Sequence, residues 1–220
     1  ILSDLQIEGL STATAGTSNL RLGKNAGDAI VSGGNNNVVV GDEAGTALTT
    51  GDSNVSVGKG ALSSDTLGNQ ATAIGFGALA TQNFTTSVNG NNVAVGYNAG
   101  TSITTGEQNV LIGAISGDVL TDGDTNTAVG NASLTLDVLG SKSTAIGYNS
   151  LGSQNFTTAT DSKNTAVGYY SGQSLTTGVK NTLIGTTSGT SLTDADLNTA
   201  VGFDALASDT LGSRSVAIGK

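Results

Sequence analysis

Apolar residues along this chain fall into a short phrase that returns at a nearly fixed distance. The phrase runs Asn or Ser, Thr or Val, a small residue, Val or Ile, then Gly. It reads NVAVG at Asn92–Gly96, NVLIG at Asn109–Gly113, NTAVG at Asn126–Gly130 and STAIG at Ser143–Gly147. Later copies end at Gly168, Gly185, Gly202 and Gly219, and earlier ones at Gly23, Gly41, Gly58 and Gly75, twelve in all. The steps between these glycines are 18, 17, 17 and 21 residues, then 17, 17, 17 and 21, then 17, 17 and 17, so a block of 72 residues repeats. A constant period of this kind is the mark of a stacked-repeat architecture, in which each unit buries its apolar face only against its neighbours.

Within the phrase the alternation is that of a β-strand. Side chains on a strand point to opposite faces in turn, so Thr165 and Val167 share one face and Ala166 lies on the other. The larger residues predict that the Thr165/Val167 face is the core of the rung. The Ala face is then expected to pack against other chains, because a strand that is apolar on both sides is covered on both sides. Gly and Asn tolerate positive φ, so Gly96, Gly113, Gly130, Gly147, Gly168, Gly185 and Gly202 are read as structural corner glycines. Asn residues repeated rung above rung predict side-chain amide ladders. Helix is a poor alternative at this density of Gly and β-branched residues.

Two kinds of rung alternate inside each block. The first two carry an aliphatic residue seven places past the phrase Gly, as with Ile103 and Leu120. The last two carry Leu four places past it and Leu or Phe nine past it, as with Leu134 and Leu139, or Leu151 and Phe156. These are expected to interdigitate in the interior. The four additional residues of the long rung fall near QNFTT (82–86 and 154–158), which predicts a protruding loop. At ~4.8 Å per rung the twelve rungs span about 55–60 Å.

Composition narrows the class further. The chain has 33 Gly, few aromatics, and no Cys, His, Met, Trp or Pro. Such a sequence cannot fill a wide globular core, but it suits a thin one. The formal charge of −9 argues against nucleic acid as a partner and against an anionic membrane surface. No stretch is long and apolar enough for a membrane-spanning helix, and no signal peptide is visible. The chain opens on Ile1 and closes on Lys220 inside a repeat, which suggests an excerpt or a processed product.

Candidate chemistry is sparse. Without His or Cys, most nucleophile–base pairs are missing. The acidic phrases TDGDTN (121–126) and TDADLN (193–198) read as turns, where Asp is at home. They lack the spacing of a calcium loop. No catalytic, metal-binding or cofactor-binding residue is assigned. Aromatics follow the phrase Gly at Phe76, Tyr97, Tyr148, Tyr169 and Phe203. Stacking of Phe76 on Tyr97 and of Tyr148 on Tyr169 is expected, with Tyr97, Tyr148 and Tyr169 as candidate surface contacts.

The phrases NTAVG, STAIG and SVAIG resemble the head repeat of trimeric autotransporter adhesins such as the Yersinia adhesin. The longer phrases NTAVGYYSGQSLTTGVKNTLIG (164–185) and NVAVGYNAGTSITTGEQNVLIG (92–113) resemble repeats of phage tail-fibre and related virion fibre proteins. The adhesin repeat is shorter than this one, and no coiled-coil stalk is visible. The resemblance implies a parallel β-roll and an intertwined or side-by-side homotrimer.

The expectation is therefore an all-β parallel β-solenoid (residues 19–220) preceded by an N-terminal cap or docking segment (1–18). The expected role is a structural rod segment of a trimeric fibre, on a virion or cell surface, contacting a glycan or protein receptor. A bacterial adhesin head or self-polymerising extracellular filament is the alternative, and an open C-terminal rung suggests end-to-end contact with further chain or subunits. A polysaccharide-degrading tailspike is more distant, since no rung breaks the pattern to build an acidic cleft. The chain is read as a non-enzyme.

Overall fold

The computed structural model describes residues 16–220. Most of the expected N-terminal cap (1–15) lies outside the described residues. The phrase forms a three-residue strand in every rung, from Leu20–Leu22 to Val216–Ile218. The twelve strands pair in parallel, in chain order, into one sheet. Leu20 lies beside Val38, Val38 beside Val55 and Val55 beside Thr72, and this alignment continues to Thr199 beside Val216. Two small parallel pairs stand apart from it, Gly68–Asn69 with Val88–Asn89 and Gly140–Ser141 with Thr160–Asp161. The described residues contain no helix, and the fold is a parallel β-solenoid of about twelve turns.

Rung-to-rung bonding is not confined to the strands. In the turns, Asn98 N–H donates to the Phe76 carbonyl, and Gly100 N–H to that of Ser116. Chain corners are fixed by backbone geometry. Gly96, Gly113, Gly130, Gly147, Gly168, Gly185 and Gly202 have φ between 131° and 146°. Each also lies against the next glycine of the row, so a Cβ on Gly96 would run into the carbonyl oxygen of Gly113, and one on Gly168 into that of Gly185. Positive φ and close backbone approach together leave no room for another residue.

The Asn ladder is present inside the solenoid. Asn92 Oδ1 accepts from Asn109 N–H, Asn109 Oδ1 from Asn126 N–H, and Asn126 Oδ1 from Ser143 N–H, all at 2.9 Å. Each Nδ2 donates in turn to a carbonyl of the same side, as Asn109 does to Gly123 at 2.8 Å. These side chains are almost fully buried.

The faces of the main sheet are the reverse of the sequence expectation. Ala94, Leu111, Ala128, Ala145, Ala166 and Leu183 point into the core and are wholly buried. Thr165 and Val167, with their counterparts in the other rungs, point out and are half-exposed. The reason is space. The interior is so narrow that most strands can present only Ala there. Where Leu111 and Leu183 enter, the facing corner is a glycine, Gly117 or Gly189.

The long rung also differs from expectation. Gln82, Phe84, Gln154 and Phe156 turn inward and are buried, while Asn155 and the residues that follow (85–87 and 157–159) are exposed. Leu139 is half-buried, while Asp137, two places earlier, occupies the interior instead.

Candidate functional site

Three features of the solenoid concentrate chemistry: its outward sheet face, the row of residues just past the corner glycines, and a buried polar network.

The outward face follows from the period of two. Each strand contributes its first and third residues, forming two rows that run the length of the sheet. The rows comprise Val, Ile, Leu and Thr only, with no charged side chain from Leu20 to Ile218. Ile74, Ile112, Ile146 and Ile184 are each 38–39 % exposed. Eleven rung steps of ~4.8 Å and two rows ~6.6 Å apart make a stripe on the order of 350 Å². That is the size of the largest apolar patch on a typical monomer, a patch that often serves an interaction.

The second feature is aromatic. Phe76 stacks on Tyr97 with ring centroids 5.5 Å apart and planes within 14°. Tyr148 stacks on Tyr169 at 5.4 Å and 18°. Both stacks join neighbouring rungs, as the spacing predicts. The structure does not bring Tyr97 together with Tyr148 and Tyr169, because the rungs carrying Ala114 and Asn131 separate them. Phe203 lies under the ammonium of Lys220, 5.8 Å from the ring centre. Tyr170, which sequence reasoning passed over, adds edge contacts to Tyr148 at 5.3 Å and to Tyr169 at 4.2 Å. The doubled YY was its signal.

The third feature was also missed. Asp65 and Asp137 are wholly buried at the place where the first two rungs of each block carry Ile or Leu. Asp137 Oδ1 accepts from Gly140 N–H at 3.1 Å and Phe156 N–H at 3.0 Å, and its Oδ2 from Gln154 Nε2 at 2.5 Å. Gln154 Oε1 then accepts from Asn164 Nδ2 at 2.9 Å, which ties the network to the next Asn ladder. Asp65, Gln82 and Asn92 repeat the arrangement. Burial pushes both carboxyls above the ordinary Asp range, and the hydrogen bonds pull the other way without cancelling it. Every buried side-chain polar atom among the described residues has a partner, so this network is closed on itself.

On the exposed side, Lys142 pairs with Asp161 at 2.6 Å, and that carboxyl is held below its ordinary value chiefly by the hydrogen bond from Lys142. Asp122 is likewise lowered, by hydrogen bonds from Thr104 and Thr105. Among the described residues no three His, Cys, Asp or Glu side chains converge as a metal site, and no helix is long and apolar enough to cross a membrane. No family model, curated protein or solved structure matches the chain.

Proposed function

We propose that this chain is a structural rod segment of a homotrimeric fibre, with three copies packed through the outward faces of their sheets. The observation that carries the reading is the uncharged Val/Ile/Thr stripe. On a chain of formal charge −9, a stripe free of charge along the whole sheet, and of a size that often marks an interaction surface, favours association through this face. The occupant is a second and third copy of the same chain, because the stripe runs the full rod and repeats in step with it. The number three rests on the resemblance of the repeat to trimeric fibre heads.

The setting that the same resemblance favours is a phage tail fibre on the virion surface. The rod then acts as a spacer, and its remaining surface is free to contact a receptor. The buried carboxylates are consumed by the fold, which supports a non-enzymatic role.

Val167→Asp tests this reading. Val167 is half-exposed on the stripe, so the variant keeps the fold of each chain and loses association. Sedimentation velocity with far-UV circular dichroism reads both quantities. An unchanged sedimentation coefficient for Val167→Asp would refute the interface.

A further inference from the structure

The apolar stripe and the buried Asp–Gln network each have a structural role, but the tyrosines at 148, 169 and 170 do not. We infer that Tyr148, Tyr169 and Tyr170 form a binding site for a neutral hexopyranose polymer.

Two observations carry this. The first is exposure. Tyr148 and Tyr169 remain 44 % and 50 % accessible although stacked. In the row along the rod, the neighbours beyond the pair are Asn131 before Tyr148 and Thr186 after Tyr169. Neither is aromatic, so no further ring extends the stack at either end. A pyranose has one face of C–H groups that packs on such a ring, leaving its hydroxyls at the rim for hydrogen bonds.

The second observation is a third ring. Tyr170 has φ of 57°, a left-handed conformation that bulky residues rarely adopt. The same corner is occupied by Asn98, Ile115, Asn149 and Thr187, with φ from 51° to 57°, so its backbone takes several residue types. Asn accepts this conformation more readily than Tyr does. The corner does not need Tyr. Its ring meets Tyr148 and Tyr169 edge-on and brings a third hydroxyl to the patch. A half-buried Tyr at a corner that takes Asn, Ile or Thr elsewhere adds aromatic surface to this stack.

The surroundings set the ligand class. Asn149 shares the Tyr148 corner, Gln173 N–H donates to the Tyr170 carbonyl, and Thr187 N–H to the Tyr169 carbonyl. These neighbours offer amides and hydroxyls, which match vicinal sugar hydroxyls as donors and acceptors. The Tyr170 phenol is held above its ordinary value, first by its hydrogen bond with Tyr169, so it is a neutral donor at physiological pH. No basic side chain belongs to this group, which disfavours an anionic polymer. The Phe76–Tyr97 pair lacks the third ring, since Asn98 stands in its place.

The inference rests on the fibre reading only in requiring that this row stay exposed when chains associate. Electrophoresis through native gels containing dextran, mannan or hydroxyethylcellulose tests it, with an alginate gel for comparison. The wild-type protein is retarded by at least one of the neutral polymers and not selectively by alginate. Tyr169→Ala weakens the retardation about tenfold. Tyr170→Asn weakens it several-fold while the melting temperature holds or rises, because Asn accepts the corner more readily.

Absence of retardation in all three neutral gels overturns the proposal, as does selective retardation by alginate. Equal retardation of Tyr170→Asn, or a fall in its melting temperature, overturns the role given to Tyr170. Sedimentation of the same variants separates the two readings. Lost retardation with unchanged association concerns the tyrosines alone, whereas a monomeric wild type concerns the fibre.

Discussion

The first two rungs of each block and the last two share a backbone and fill it with opposite chemistry. Seven places past the corner glycine the first pair buries Ile103 and Leu120, and the second pair buries Asp137 and Gln154. Four places past it the first pair has Gly100 and Gly117, with φ of 57° and 55°. The second has Leu134 and Leu151, with φ of 53° and 49°. Leucine thus enters the core from the strand in one rung, as Leu111, and from a left-handed corner in the next, as Leu134. The backbone is set by the corner glycines and the Asn ladder, and the interior is exchangeable only as a matched set. A single swap leaves either a clash or an orphaned donor.

The largest expected effect comes from forcing the aliphatic solution onto a polar rung. Asp137→Leu copies the residue at Leu120 but strips the acceptor from Gly140 N–H, Phe156 N–H and Gln154 Nε2. Each orphaned donor costs on the order of 1–3 kcal/mol. Urea unfolding should therefore show a greater loss for this variant than for any other described below.

Next is the exchange of leucine position. Leu111→Ala alone loses about 2–5 kcal/mol as a large-to-small core change. Gly117→Leu alone places its Cβ 2.9 Å from Leu111 Cδ2 and is also destabilising. The double variant reproduces the Ala128/Leu134 pattern, so a double-mutant cycle should give a favourable coupling of about 1–3 kcal/mol. Simple additivity would contradict the matched-set account.

A smaller and pH-dependent effect separates the two rung types. The folded carboxyls of Asp65 and Asp137 sit above their ordinary value, so folding favours their protonated forms. Their contribution is fully present below the ordinary Asp value and is lost as pH rises through the folded value. Asp65→Asn with Asp137→Asn removes this term. The stability difference between wild type and variant should move in favour of the wild type as pH falls from neutrality toward about 4, followed by thermal unfolding across that range. A difference independent of pH would contradict the buried-acid reading. Smallest of all, Thr176→Ala removes an exposed hydroxyl that donates to the Thr193 carbonyl at 3.2 Å, and should change stability by less than about 0.5 kcal/mol.

Much of the fold was legible because its determinants recur within one rung. The phrase, the corner glycines, the Asn ladder and the tyrosine stacking all follow from residues repeated at one place. The direction of the strands was not. Apolar size argued for Thr165 and Val167 inside, yet the interior at that point admits only Ala166, and narrowness is a property of the whole turn. Asp137 was hidden for a different reason. Its partner Gln154 lies one rung away, so the phrase LTLDVLG reads as an ordinary turn when taken alone. Tyr170 was passed over because its place in the row is held by Asn98 one block earlier, and only the packed structure brings its ring against Tyr148 and Tyr169.

The inverted faces alter what a substitution on each side should do. Ala166→Asp now places a charge in the interior of its own chain and should unfold it, while Val167→Asp should only separate chains. Sedimentation equilibrium of the wild-type protein over a wide dilution series tests the central claim most directly. The account predicts a mass three times that of the chain, maintained on dilution and lost in Val167→Asp. A wild-type protein that sediments as a folded monomer throughout would contradict it.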